Sequence, residues 1–165
     1  MNKKSSAKKI KKIVMVSGGY DPIHIGHIRQ FKAAKALGDK LVVVLNNDNW
    51  LKLKKGYVFM PENERKEILE GIKYVDEVII SKHKPNTKDI SIYNELKYVR
   101  PHIFAKGGDR QPSSVPIPTP EILFCKEIGC EIIYNVGEGG KVQSSSELVE
   151  KSVLAKTQEK NKKKK

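Results

Sequence analysis

The chain has 165 residues, 38% hydrophobic and 31% charged, with a formal charge of +13, which suits one domain with a buried core and is thin for two. Residues 1–12 carry +6 and residues 156–165 carry +5, leaving +2 for residues 13–155. The basicity therefore belongs to the two ends, and a domain built as a broad basic surface is excluded.

Residues 1–12 and 156–165 hold too few apolar side chains to offset the entropy of ordering them, so both are expected to be disordered basic tails around a domain at 13–155. Such tails support salt-sensitive attraction to polyanions, and specific nucleic-acid recognition is not expected of them. Neither has the apolar stretch of a signal peptide or membrane span, which predicts a soluble, cytoplasmic protein with no membrane contact.

From Ile13 to Ser17, "IVMVS" is a short apolar run closed by Gly18 and Gly19, the pattern of a buried strand entering a tight turn. Ile28, Phe31, Ala34 and Leu37 then recur at three-residue steps before Gly38, predicting an amphipathic helix, and "KLVVVLNND" predicts a second strand. The segment "WLKLKKGY" reads as a loop. Pro61, Glu62 and Glu64 open a helix through Ile68, Leu69 and Ile72 ahead of the strand "EVIIS". Thr87 is placed to cap a helix carrying Ile90, Tyr93, Leu96 and Val99, ended by Pro101 before the strand "HIFA". Thr119, Pro120 and Glu121 open a further helix that Gly129 stops, and "EIIYNV" is a fifth strand. Cys125 and Cys130, in that region, lack a CxxC pairing and are expected to be reduced thiols. Ser144 and Glu147 have capping-box spacing at the start of a last helix. The alternation predicts an α/β fold, a Rossmann-like doubly wound sandwich with a five-stranded, mainly parallel sheet and a ligand site at the carboxyl ends of its strands.

Three segments fall where that site belongs: Gly18 to His27 after the first strand, "KGGDR" from Lys106 after the fourth, and "GKVQSSS" after the fifth. His24 and His27 share a face at the start of the first helix, where unpaired N–H groups and the positive dipole end attract anions. Gly18, Gly19 and Gly26 let a ligand approach the backbone, so the segment fits a triphosphate. Zinc held by His24, His27 and Asp21 competes with this reading, as does plain core packing, but no HExxH-type carboxylate accompanies the pair. Asp109 can accept hydrogen bonds from a ribose or base, or serve a turn. Ser144, Ser145 and Ser146 offer hydroxyls and a helix start to pyrophosphate oxygens.

"GGYDPIHIGH" resembles the signature of the cytidylyltransferase-like nucleotidyltransferase superfamily. "VFMPENERKEILEGIKYVDEVI" resembles the matching helix and strand of glycerol-3-phosphate cytidylyltransferases, and "IFAKGGDR" the loop of heptose-phosphate adenylyltransferases. "QSSSELV" is similar to the serine-rich segment that closes the site, as in pantetheine-phosphate adenylyltransferases. The likeness runs from about Ile13 to Val153. A class I aminoacyl-tRNA synthetase also carries a HIGH segment, but this chain is far shorter and has no KMSKS-like stretch.

The resemblance implies transfer of a CMP or AMP group from CTP, or less readily ATP, to a small phosphorylated polyol or sugar, with Mg²⁺ and release of pyrophosphate. It implies nucleotide binding by Gly18, Gly19, Tyr20, Asp21, Gly26, Gly107, Asp109, Gln143 and the three serines. His24 and His27 would stabilise the α- and β-phosphates. A lysine among Lys52, Lys54 and Lys55 would reach the triphosphate, with Lys52 taken first, and Arg65 of "ERK" would bind phosphate with its planar fork. Lys141 stands where the cytidylyltransferase pattern "RTxGISTT" carries arginine, which weakens the assignment of base and acceptor. Relatives of this kind commonly pair, so the resemblance makes a homodimer plausible and nothing more. The alternative is a non-catalytic protein that binds nucleotide, or polyanions through its lysine tails.

Overall fold

The computed structural model describes residues 11–108, 119–137 and 143–162. Among these residues five strands, β1 (Ile13–Gly18), β2 (Lys40–Leu45), β3 (Glu77–Ile80), β4 (Ile103–Gly107) and β5 (Glu131–Val136), form one sheet in the order β3-β2-β1-β4-β5. Every pairing is parallel, with Val14 opposite Leu41 and Met15 opposite Phe104. Among the described residues six helices connect or follow them: α1 (Ile25–Lys35), α2 (Asp48–Lys55), α3 (Glu62–Glu70), α4 (Tyr93–Val99), α5 (Pro120–Glu127) and α6 (Ser145–Lys162). None of these is long and apolar enough to cross a membrane.

The continuous apolar strands are explained by a sheet covered on both faces. Val14, Val16, Leu41, Val43 and Leu45 pack with Phe31 and Ala34 of α1 and Leu69 of α3. The intervening Met15 and Val44 instead pack with Leu96 of α4 and Phe124 and Cys125 of α5. Successive strand residues point to opposite faces, so Val14 to Val16 and Leu41 to Leu45 are all buried. Each large aliphatic side chain so buried contributes about 1.5–3 kcal/mol.

The sheet order turns at β1: the chain builds outward to β3, then crosses to β4 on the other side. That switch opens a crevice at the carboxyl ends of β1 and β4. Three local expectations change. Residues 48–55 are helical rather than a loop, because the Asn47 side chain accepts the N–H of Trp50, Leu51 is fully buried, and Gly56 closes the last turn at φ 82°. Thr87 caps no helix, since its hydroxyl accepts the N–H of Asp89, whose carboxylate accepts that of Ser91. These local bonds hold the backbone in turns, and α4 begins only at Tyr93. Finally, α6 continues to Lys162, through residues that composition places in the basic tail.

Candidate functional site

The carboxyl ends of β1, β4 and β5 and the starts of α1 and α6 enclose a cavity of about 310 Å³. Of the residues expected at a nucleotide site, Gly18, Tyr20, His24, Gly26, His27, Gly107, Gln143, Ser144, Ser145 and Ser146 all line it. Loops separated by more than a hundred residues in sequence therefore converge. Ser145 fixes part of that convergence: its hydroxyl donates to the Pro22 carbonyl at 2.8 Å, tying the start of α6 to the loop after β1.

His24 is the N-cap of α1 and His27 lies one turn inside it. The His24 backbone N–H donates to Nδ1 of His27 at 3.2 Å, so the neutral His27 ring keeps its proton on Nε2. The two imidazoles stack with centroids 3.7 Å apart and planes 20° from parallel. Tyr20 meets His27 edge-on at 4.9 Å and is backed by Phe31 at 5.2 Å. A Cβ on Gly26 would lie 3.0 Å from Cε1 of His24. Glycine between the histidines therefore makes room for an imidazole, not for the ligand directly. Gly19 is similar, with its open side filled by Leu51.

Electrostatics at the rim favour an incoming anion. Burial, then neighbouring His24 and Lys55, depress His27 to about 3. Burial and Lys55 also lower His24, and burial lowers Lys55 against the opposing pull of Asp21. These groups resist charging in a partly dry site, and a polyphosphate would favour their charged forms. Lys55 donates to the Asp21 carbonyl at 2.9 Å and lines the cavity, as does Lys106 at the end of β4.

Four expected ligand contacts are not at the cavity. Lys52 is exposed on α2, and Lys55, almost one helical turn later, faces inward instead. Arg65 is 1% exposed, and its guanidinium is used by the protein: it donates to the carbonyls of Met60 (2.8 Å), Gly19 (2.7 Å) and Asn46 (2.8 Å) and to Asp48 (2.6 Å). Its fork thus gathers the turns after β1 and β2 and cannot also grip phosphate without breaking them. Gly19 contributes a carbonyl to that arginine. Asp21 is fully buried, with its two oxygens accepting the N–H groups of Phe59 and Met60 at 2.8 and 2.7 Å. Asp109 and Lys141 lie outside the described residues.

The same bonds weigh against a zinc set of His24, His27 and Asp21, since Asp21 and Nδ1 of His27 are already acceptors within the protein. Among the described residues no cluster of three or more His, Cys, Asp or Glu could hold a metal, and the cavity lining contains no carboxylate. A resident Mg²⁺ does not fit these residues. Of the three candidate lysines Lys55 is the one that lines the cavity, and Lys106, Ser17 and Gln30 are additions to the expected site. Lys106 belongs to a segment already marked by its glycines, and Gln30 stands three residues beyond His27 on the same helix.

Residues 15–134 match the family described as cytidylyltransferase-like. The chain belongs to that family of nucleotidyltransferases. It is 38% identical over 98 residues to the FAD synthase of Pyrococcus horikoshii, covering 59% of this chain and 63% of that protein, which is under two thirds of its length. Against the FAD synthase of Thermococcus sibiricus it is 37% identical over 150 residues, 88% of this chain and 95% of that protein. The crystal structure of a lipopolysaccharide core biosynthesis protein from Thermoplasma volcanium superposes with a TM-score of 0.61 at 27% identity, covering 77% of this chain and 98% of that one. The superfamily resemblance and the α/β fold are thereby borne out, with the sheet wholly parallel.

Proposed function

We propose that this chain transfers a nucleoside monophosphate from magnesium-bound ATP to a small phosphorylated polyol or sugar and releases pyrophosphate. A phosphate oxygen of the acceptor attacks the α-phosphorus. The bond from that phosphorus to the bridging β-oxygen breaks, and its electron pair leaves with pyrophosphate. Such a reaction asks the protein for in-line placement and for positive charge around the crowded phosphorus.

The observation that carries this reading is the stacked His24–His27 pair at the start of α1, facing a cavity shared with Lys55, Lys106 and the serine-led start of α6. Nε2–H of His27, held in that tautomer by the His24 backbone, donates to an α- or β-phosphate oxygen. Lys55 supplies charge to the leaving pyrophosphate. The hydroxyls of Ser144 and Ser146 and the first N–H groups of α6 receive its oxygens. Mg²⁺ arrives on the triphosphate and keeps its remaining sites on water, as this ion commonly does, so it counts as part of the substrate.

Sequence pattern alone ranks CTP ahead of ATP; the likeness to FAD synthases over 150 residues reverses that order. FAD is an AMP group joined by a pyrophosphate link to a ribityl phosphate, itself a phosphorylated polyol on a flavin. That makes FMN and simple polyol phosphates the acceptors of first choice.

The test is pyrophosphate release from ATP or CTP with Mg²⁺ and a panel of FMN and glycerol, ribitol and heptose phosphates. Release with one donor–acceptor pair, lost in His27→Ala, is expected. Silence across the panel while the protein binds polyanions tightly would overturn the proposal in favour of a non-catalytic binder.

A further inference from the structure

Gln30 lies on α1 one turn past His27, and its half-buried side chain lines the cavity. The fold holds it between the ends of two strands. A Cβ on Gly107, the last residue of β4, would come within 2.4 Å of the Gln30 carboxamide carbon and 2.5 Å of Nε2. On the other side Gly137, just after β5 and at φ 131°, lies so close that a Cβ there would touch the Gln30 backbone at 3.4 Å. Among the described residues nothing hydrogen-bonds this carboxamide. Its donor and acceptor are unspent within the protein and line the cavity, where a ligand can use both.

The surroundings say which part of a ligand that is. His24, His27, Lys55 and the serines supply hydrogen-bond donors on one side of the cavity, whereas Phe104, Ala105 and Val136, beside Lys106, give apolar wall where β4 and β5 end next to Gln30. An apolar slot with one amide suits a flat heterocycle. Adenine and cytosine both present an exocyclic amino donor beside a ring-nitrogen acceptor, and a glutamine amide can pair with both atoms together.

We infer that Gln30 binds the nucleobase by its amino edge and that Gly107 is glycine in order to admit the carboxamide. The inference rests on the nucleotidyl-transfer reading and adds to it the residue that recognises the base.

The experiment compares wild type, Gln30→Leu and Gly107→Ala with ATP, with purine riboside triphosphate, which lacks the amino group, and with 2′-deoxy-ATP. Both kcat/KM and nucleotide affinity are measured. Each variant should lose about tenfold or more with ATP and much less with purine riboside triphosphate. The loss with 2′-deoxy-ATP should match that with ATP, and affinity for inorganic pyrophosphate should shift less than about twofold, since that ligand has no base. Equal losses with ATP and purine riboside triphosphate would overturn base recognition. A loss that vanishes with 2′-deoxy-ATP would move Gln30 to the ribose and also overturn it. If wild type neither binds nor turns over any of these nucleotides, the nucleotidyl-transfer reading falls and takes the inference with it.

Discussion

The backbone N–H of His24 donates to Nδ1 of His27, and the two rings stack 3.7 Å apart. One hydrogen bond therefore sets both the tautomer of His27 and the direction of its Nε2 proton. It also places two like groups where charging both is unfavourable.

This arrangement predicts a pH-dependent stability. In the folded chain His27 is held down at about 3, while its ordinary value is 6.5. Between those values the unfolded chain binds a proton that the folded chain refuses. Stability should therefore fall as pH drops through that window, by up to about 1.4 kcal/mol per pH unit, and this group should add no slope above it. Urea midpoints across the window test this, and His27→Gln should flatten the decline. Parallel declines in wild type and variant would show that His27 is not its source.

Replacing Arg65 tests whether it braces the site or grips phosphate. Arg65→Leu strands the carbonyls of Gly19, Asn46 and Met60 and the Asp48 carboxylate, and should cost about 3–5 kcal/mol of stability in denaturant unfolding. Arg65→Lys should recover only part of it. Normal stability combined with a large rise in KM for nucleotide would assign Arg65 to the substrate instead.

The two lysines of α2 should behave differently. Lys55→Ala removes a charge that lines the cavity and should lower kcat/KM by about a hundredfold. Lys52→Ala touches an exposed position and should change it less than about twofold. A reversed order of effects would restore Lys52 as the phosphate ligand.

Asp21 clamps the turn before α3 with both oxygens. Asp21→Asn turns one acceptor into a donor facing a backbone N–H and should cost about 1–3 kcal/mol. Loss of amide-exchange protection at Phe59 and Met60 would locate the damage; unchanged protection there would contradict the clamp.

Much of this molecule is local. Apolar runs such as "IVMVS" and "KLVVVL", and the three-residue steps of Ile28, Phe31 and Ala34, express strand and helix periodicities directly, so the alternating βα order was legible. The glycine, histidine and serine segments were legible too, because their composition differs from that of packing loops. Asn47 and Gly56 did mark the ends of α2, but the lysines between them concealed a helix with a single buried face at Leu51.

Tertiary structure alone decided what each polar group is for. Sequence presents Arg65 and Asp21 as chemistry-bearing residues, and folding surrounds them with carbonyls and N–H groups whose burial would be costly unpaired. It likewise selected Lys55 over Lys52 and brought Gln30 against Gly107. A side chain's type and spacing follow from local sequence. Which partner satisfies it depends on distant segments meeting in three dimensions.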